Sequence, residues 1–258
     1  MSDGRSGFMA KINVRGIPFD NVTMAEAVDL AEAALETDGV SVVVTPNAEI
    51  AEMCLEDASV KEAILSADII LPDGAGVVMA SEILDTPLKE KVAGVDFGER
   101  VLALAAKKGY GVFLLGDKPG VAEVAAQRLS SRYPDLRVVG RNDGYFEKSG
   151  AANDDVIEKI NASGAQILFV CLGAPLQEKW IATNRHALTT VRLAACLGGS
   201  LDVYAGTAKR APAFFIKMRM EWLYRLIREP RRLGRMMKLP RYIMGAKKES
   251  RKKRKNGL

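Results

Sequence analysis

Short apolar runs alternate along the chain with stretches in which apolar residues recur at helical spacing. The β-branched run SVVVTPN (residues 41–47) ends at a Pro-Asn pair, and AEIAEMCLEDASVKEAIL follows with helical spacing. DIILPDG and AGVVMASEILD repeat the strand-then-helix order, as do YGVFLLGDKPG and VAEVAAQRLSSRYP. LRVVGRNDGYF precedes the helical DDVIEKINASG, AQILFVCLGAP precedes LQEKWIATNRHAL, and VRLAACLGGSLD supplies a last strand. These strand runs are continuous rather than alternating, the pattern of strands buried on both faces. Strand–helix units in series predict an α/β body: a Rossmann-like, mostly parallel sheet with right-handed crossovers and helices on both faces. The expected organisation is a body over residues 1–205, a basic amphipathic helical appendage over 206–245 and a disordered basic tail over 246–258.

In an open parallel sheet, ligands bind at the carboxyl ends of the strands, in the turns that lead into helices. Here those turns are TPNAE, PDGAG, GDKPG, GAPLQEKW and GGSLD, and they carry Asn47, Asp73, Asp117, Gln177 and Asp202. Turn punctuation alone would account for any one of them, since Gly, Pro and Asp favour bends. Five at successive strand ends predict a polar crevice. The chain has neither G-x-G-x-x-G nor G-x-x-x-x-G-K-[ST], which argues against a dinucleotide dehydrogenase or a P-loop NTPase. It also lacks a D-x-D pair at a strand end, so no required metal and no cofactor are expected.

Composition sets the bounds on these readings. The 258 residues are 48% hydrophobic, enough for a large core and too apolar for disorder. No apolar run reaches the ~18 residues of a membrane-spanning helix. The N-terminal MSDGRSGFMAKINVRG has no signal-peptide core, which predicts a cytoplasmic chain. Cys54, Cys171 and Cys196 fit neither a disulfide framework nor a metal cluster and read as buried, inert thiols. The one histidine, His186, reads as a solvated residue at a helix end, which leaves no basis for a Ser-His-Asp triad.

Charge is distributed unevenly. Residues 206–258 carry a net charge of +15, whereas residues 1–205 carry −10. The basic segment also holds large apolar residues, with Phe215, Met218, Trp222 and Leu226 at helical spacing and Pro230 as a breaker. A nucleic-acid patch and a plain solvated face both leave those apolars unexplained. Attachment to an anionic membrane surface accounts for both features, because apolar side chains enter the interface while Arg and Lys meet lipid headgroups.

Taken together, TPNAEI, ILPDGAGVV, KVAGVDF, FLLGDKPGVAE, LGAPLQEKW, GGSLDVYAG and RAPAFF…EWLYRLIREPRRLGR resemble the WecG/TagA/CpsF glycosyltransferases, family 26, across residues about 10 to about 243. The resemblance implies an inverting, metal-independent enzyme of bacterial cell-wall polymer synthesis. Such an enzyme moves N-acetylmannosamine from a UDP donor to a polyprenyl-diphosphate-linked N-acetylglucosamine, working at the inner face of the plasma membrane. It assigns Asp73 as catalytic base, Thr45, Asn47 and Gln177 to the sugar pocket, and Tyr145 and Asp202 to uridine. Lys91, where the family usually has Arg, would meet phosphate together with Arg225, Arg232 and Arg235 once the appendage folds over the site. Trp180 reads as core, and Asp96 as the cap of the following helix. Homo-oligomers of two or three chains are also implied, and no nucleic-acid partner. Transfer of the corresponding uronic acid or of a glucose-type sugar stays open within the family. Outside it, a non-catalytic nucleotide- or nucleic-acid-binding module stays open.

Overall fold

The computed structural model describes residues 10–208, 212, 215, 223, 224, 234 and 237–255. The chain opens with a hairpin of β1 (Lys11–Val14) and β2 (Ile17–Asp20), then α1 (Met24–Leu35). The body follows as β3 (Ser41–Val44), α2 (Ala48–Glu56), α3 (Ala58–Leu65), β4 (Ile69–Ile70), α4 (Ala75–Ile83), α5 (Gly94–Lys108) and β5 (Gly111–Gly116). It continues with α6 (Val121–Arg132), β6 (Arg137–Asn142), α7 (Ala151–Ala162), β7 (Ile167–Cys171), α8 (Leu176–Asn184), β8 (Leu193–Cys196) and α9 (Ser200–Ala205). The final described element is α10 (Lys238–Lys255).

Six strands form one sheet in the order β4-β3-β8-β7-β5-β6, and every neighbouring pair is parallel. Side chains alternate across it. Val42, Val44, Phe113, Leu115, Leu168, Val170 and Ala194 pack against α2, α3, α4, α7, α8 and α10 on one face. Val43, Val112, Leu114, Ile167, Phe169, Leu193 and Ala195 pack against α1, α5, α6 and α9 on the other. The inner strands β5, β7 and β8 are therefore apolar throughout because both of their faces are covered, whereas the edge strand β6 keeps Arg137, Arg141 and Asn142, and the expected fold class is observed. The register aligns Val44 with Cys196, Cys196 with Val170, and Cys171 with Gly116. The turns that follow these residues consequently lie along one edge. The chain leaves β5 through α6 on one face and β7 through α8 on the other, which opens a crevice between these neighbours.

Three features depart from the sequence expectations. The hairpin β1–β2 is additional; its Asp20 is buried and accepts the Ile70 amide at 2.7 Å, which ties the hairpin to the sheet's edge strand. The helical run 48–65 is two helices, because Asp57 adopts an extended backbone and its Oδ1 caps Ser59 at 2.8 Å. The tail is also corrected: residues 246–255, expected to be disordered, continue α10 without a break at 245.

A stripe at four-residue spacing explains α10. Tyr242, Ala246 and Ser250 are buried against the body, while Lys and Arg cover the other face. Tyr242 is fully buried; its hydroxyl donates to the Val14 carbonyl at 3.4 Å, and the Arg15 guanidinium lies 4.8 Å from its ring centre. Arg15 also pairs with Glu52 of α2 at 2.6 Å, and Arg241 of α10 reaches Glu52 at 3.2 Å and Glu56 at 2.7 Å. Gly76 of α4 lets these elements meet: a Cβ there would lie 2.4 Å from Leu239 and 2.8 Å from Ala48. α10 thus runs along α4 from Gly76 to Asp85, just beyond its end, and meets α2 at Glu52 and Glu56. Replacing Tyr242 with Ala removes a fully buried ring and is expected to destabilise the fold by about 3 kcal/mol, measurable as a drop in the denaturant midpoint at unchanged m-value.

Candidate active site

The turns after β3 and β4 come together first. Asn47 caps α2, its Oδ1 accepting the amides of Glu49 at 2.9 Å and Ile50 at 3.0 Å. That commits the oxygen and leaves the carboxamide N–H donors as its contribution to a ligand. Thr45 is buried, and its hydroxyl donates to the Cys196 carbonyl at 3.2 Å, tying β3 to β8. Asp73 follows β4 and is half-buried; its Oδ2 accepts the Gly94 amide at 3.3 Å. The next residue, Gly74, has φ +79°, a left-handed conformation that suits glycine, and a Cβ there would touch the Asn47 side chain at 3.5 Å. Gly94 abuts Thr45 so closely that a Cβ would lie 2.8 Å from the hydroxyl oxygen. The Val92 amide donates to the Pro72 carbonyl at 2.9 Å, which brings the half-buried Lys91 segment alongside Pro72 and Asp73. Thr45, Asn47, Asp73 and the segment of Lys91 therefore form one cluster.

Gln177 joins it from α8. It is almost fully buried, its Nε2 donating to Glu178 at 2.8 Å and its Oε1 accepting the Gly198 amide at 3.0 Å. In this conformation both ends of the amide are engaged within the protein, so Gln177 shapes the turn after β8.

The second cluster lies at the other end of the edge, around β5, β6 and α9. Asp117 has φ +61°, an uncommon backbone for a residue with a side chain. It is held there by donation to the Cys171 carbonyl at 3.1 Å and by the Gly144 amide, which donates to its carbonyl at 2.7 Å. Asp117 reaches hydrogen-bonding range of Asp202, and burial, together with the charge of Asp202, raises its pKa above the ordinary carboxylate range. Asp202, in the first turn of α9, accepts the Thr207 hydroxyl at 2.7 Å. The Gly144 bond brings the DGYF loop against Asp117, with Tyr145 projecting 71% exposed. Beneath that loop, Phe146 packs edge-on to Trp180 at 6.4 Å, and Lys148 donates to the Gly144 carbonyl at 2.9 Å. An exposed aromatic ring on a braced loop, beside two carboxylates, can receive a flat ring with N–H or hydroxyl donors.

Asp117 is the residue that the sequence reading placed in the crevice without assigning it a role; its signal was the Gly-Asp at a strand end inside the resemblance. Arg225, Arg232 and Arg235 lie outside the described residues. Asp96 is corrected: α5 begins at Gly94, so Asp96 sits in its first turn and Ala93 holds the cap position. Trp180 is core, its Nε1 donating to Asn153 at 2.7 Å. The three thiols are buried, and burial pushes Cys54 up to about 11 and raises Cys171 and Cys196 as well. His186 is exposed at the end of α8. No helix among the described residues is long and apolar enough to cross a membrane.

Residues 12–256 match the glycosyl transferase WecG/TagA/CpsF family. The chain is 35% identical over 242 residues to the N-acetylglucosaminyldiphosphoundecaprenol N-acetyl-beta-D-mannosaminyltransferase of Bacillus subtilis (strain 168), covering 93% of each chain. Its identity to the protein of that name from Bacillus spizizenii is 38%, covering 81% of this chain and 79% of the relative. To that from Staphylococcus aureus (strain MW2) it is 33%, covering 95% and 96%. With a parallel sheet whose strand-end turns carry the family's motifs, the chain belongs to the WecG/TagA/CpsF family of glycosyltransferases.

Proposed function

We propose that the enzyme transfers N-acetylmannosamine from UDP-N-acetylmannosamine to N-acetylglucosamine carried on a polyprenyl diphosphate, with inversion and without a metal. The observation that carries this reading is the spacing of the two clusters. Asp73 follows β4 and Asp117 follows β5, four strand positions apart, or ~19 Å at a strand separation of ~4.8 Å. A sugar, a diphosphate and a nucleoside laid end to end fit such an edge. Uridine would lie on Tyr145, with Asp117 and Asp202 accepting its N–H or ribose hydroxyls. The sugar would lie over Thr45 and the Asn47 amide, bounded by the turn that Gln177 holds.

In the reaction, Asp73 takes the proton from the attacking acceptor hydroxyl as its oxygen bonds to the sugar's anomeric carbon. The bond from that carbon to the diphosphate breaks on the opposite face, and UDP leaves with the electron pair. Lys91 and the N-terminus of α4, whose first amides have no side-chain cap, supply positive potential along the crevice. Arg225, Arg232 and Arg235, in the segment outside the described residues, would add charge-assisted contacts to the diphosphate.

The acceptor's lipid implies work at an anionic membrane surface, at the inner face of the plasma membrane. α10 suits that position. Its exposed face holds Lys247, Lys248, Arg251, Lys252 and Lys255, with Met244 65% exposed among them. Each basic residue near such a surface contributes about 1 kcal/mol.

Replacing Asp73 with Asn removes the base while keeping the shape, so transfer to a lipid-linked acceptor analogue should fall by about 10²–10⁴-fold. Calorimetric UDP affinity should stay within about threefold; an unchanged transfer rate would rule Asp73 out as base. Changing Lys247, Lys248, Arg251, Lys252 and Lys255 together to Gln should weaken sedimentation with anionic vesicles by at least about tenfold. The difference should shrink as salt is raised.

A further inference from the structure

Glu178 is the most deeply buried carboxylate among the described residues, at 1% exposure, and the transfer reaction has no use for it. Its Oε1 accepts from Gln177 Nε2 at 2.8 Å, whereas Oε2 is equally buried and has no hydrogen-bond partner. Among the described residues no Lys or Arg forms an ion pair with it. Among the described residues, the buried thiols of Cys54 from α2 and Cys196 from β8 lie near enough to feel its charge. The Cys196 carbonyl in turn receives the Thr45 hydroxyl, so Glu178 lies behind the cluster around Thr45. An anion in such a place has, among the described residues, only Gln177 Nε2 and its own backbone amide as donors and no cation, and burial outweighs both in disfavouring the charged form. The neutral acid fits: one oxygen accepts from Gln177 and the other carries the proton.

That neutral carboxyl has a mechanical consequence. By accepting from Gln177 Nε2 it fixes the amide's orientation and directs Gln177 Oε1 at the Gly198 amide, 3.0 Å away. Gly198 opens the turn into α9, the helix that carries Asp202. A single relay therefore runs from α8 to the turn between the two clusters.

We infer that Glu178 is a positioning residue, held as a neutral acid, that sets the Gly198 turn through Gln177 and so holds the donor's two halves in register. The link to the donor rests on the transfer reading above; the relay itself does not. Burial raises the Glu178 pKa. A carboxyl with a raised folded-state pKa contributes its full stability below the ordinary carboxylate range and loses it as pH climbs toward the folded value. The thiols near it stay neutral across that range, since burial has pushed both upward.

The test uses the full chain with Glu178→Gln and Glu178→Leu. Glutamine reproduces the neutral acid: its carbonyl accepts from Gln177 and its amide nitrogen takes the place of the protonated oxygen. Its thermal midpoint should exceed wild type at about pH 8, and the gap should close toward about pH 5. Hydrogen exchange over residues 198–202 should match wild type in Glu178→Gln and quicken at least about tenfold in Glu178→Leu. With UDP-N-acetylmannosamine, kcat should stay within about twofold for Gln and fall at least about tenfold for Leu, with KM changing less. A lower midpoint for Glu178→Gln at about pH 8 would overturn the neutral acid. Unchanged exchange in Glu178→Leu would overturn the relay. Both readouts stand if wild type transfers no N-acetylmannosamine, an outcome that would contradict the transfer reading alone.

Discussion

Six parallel strands must be covered on both faces, and that requirement places everything else. Once helices occupy both sides, the open edge at the carboxyl ends of the strands is where a polar ligand can reach the backbone. Val44, Cys196, Val170, Cys171 and Gly116 are held in register by the ladder, so the turns that follow them share that edge. Short polar side chains and glycines then do the rest. Gly74 and Gly94 let Asn47, Thr45 and Asp73 approach one another, and Asp117 is bent toward Asp202 by bonds from Cys171 and Gly144.

Electrostatics divides the molecule by task. The body is acidic, and carboxylates stand at both ends of the crevice, where they can accept protons or donors from substrate. Positive charge is concentrated in the C-terminal segment, and α10 is anchored to the body by pairs with Glu52 and Glu56. α10 also touches the ligand edge indirectly, because Leu239 packs on Gly76, three residues after Asp73. The basic helix α10 and the turn that carries Asp73 are thereby parts of one packed unit.

Most of the sheet was legible because a strand buried on both faces is written as a continuous apolar run, and each run ends in a turn signal. The strand-end position of Asp73, Asn47 and Asp202 followed from that alone. The hairpin β1–β2 escaped because its strands are only four residues long and Pro18 sits inside the second. The part of α10 beyond residue 245 read as a disordered tail because Ala246 and Ser250 are small residues amid many charges, and only packing against α2 and α4 makes them a continuation of the stripe that Tyr242 begins. The Glu178–Gln177–Gly198 relay had no sequence signature at all. Adjacent Gln and Glu on a helix look like surface residues until the fold buries them both.

The central claim is that the donor lies along the strand ends with uridine at the Tyr145 end and sugar at the Asp73 end. A structure of the full chain with bound UDP tests it most directly. The account predicts the uracil ring stacked on Tyr145 within hydrogen-bonding distance of Asp117 or Asp202, and the β-phosphate directed toward Lys91 and Asp73. Uracil seated over Thr45 and Asn47, with Tyr145 uninvolved, would contradict it.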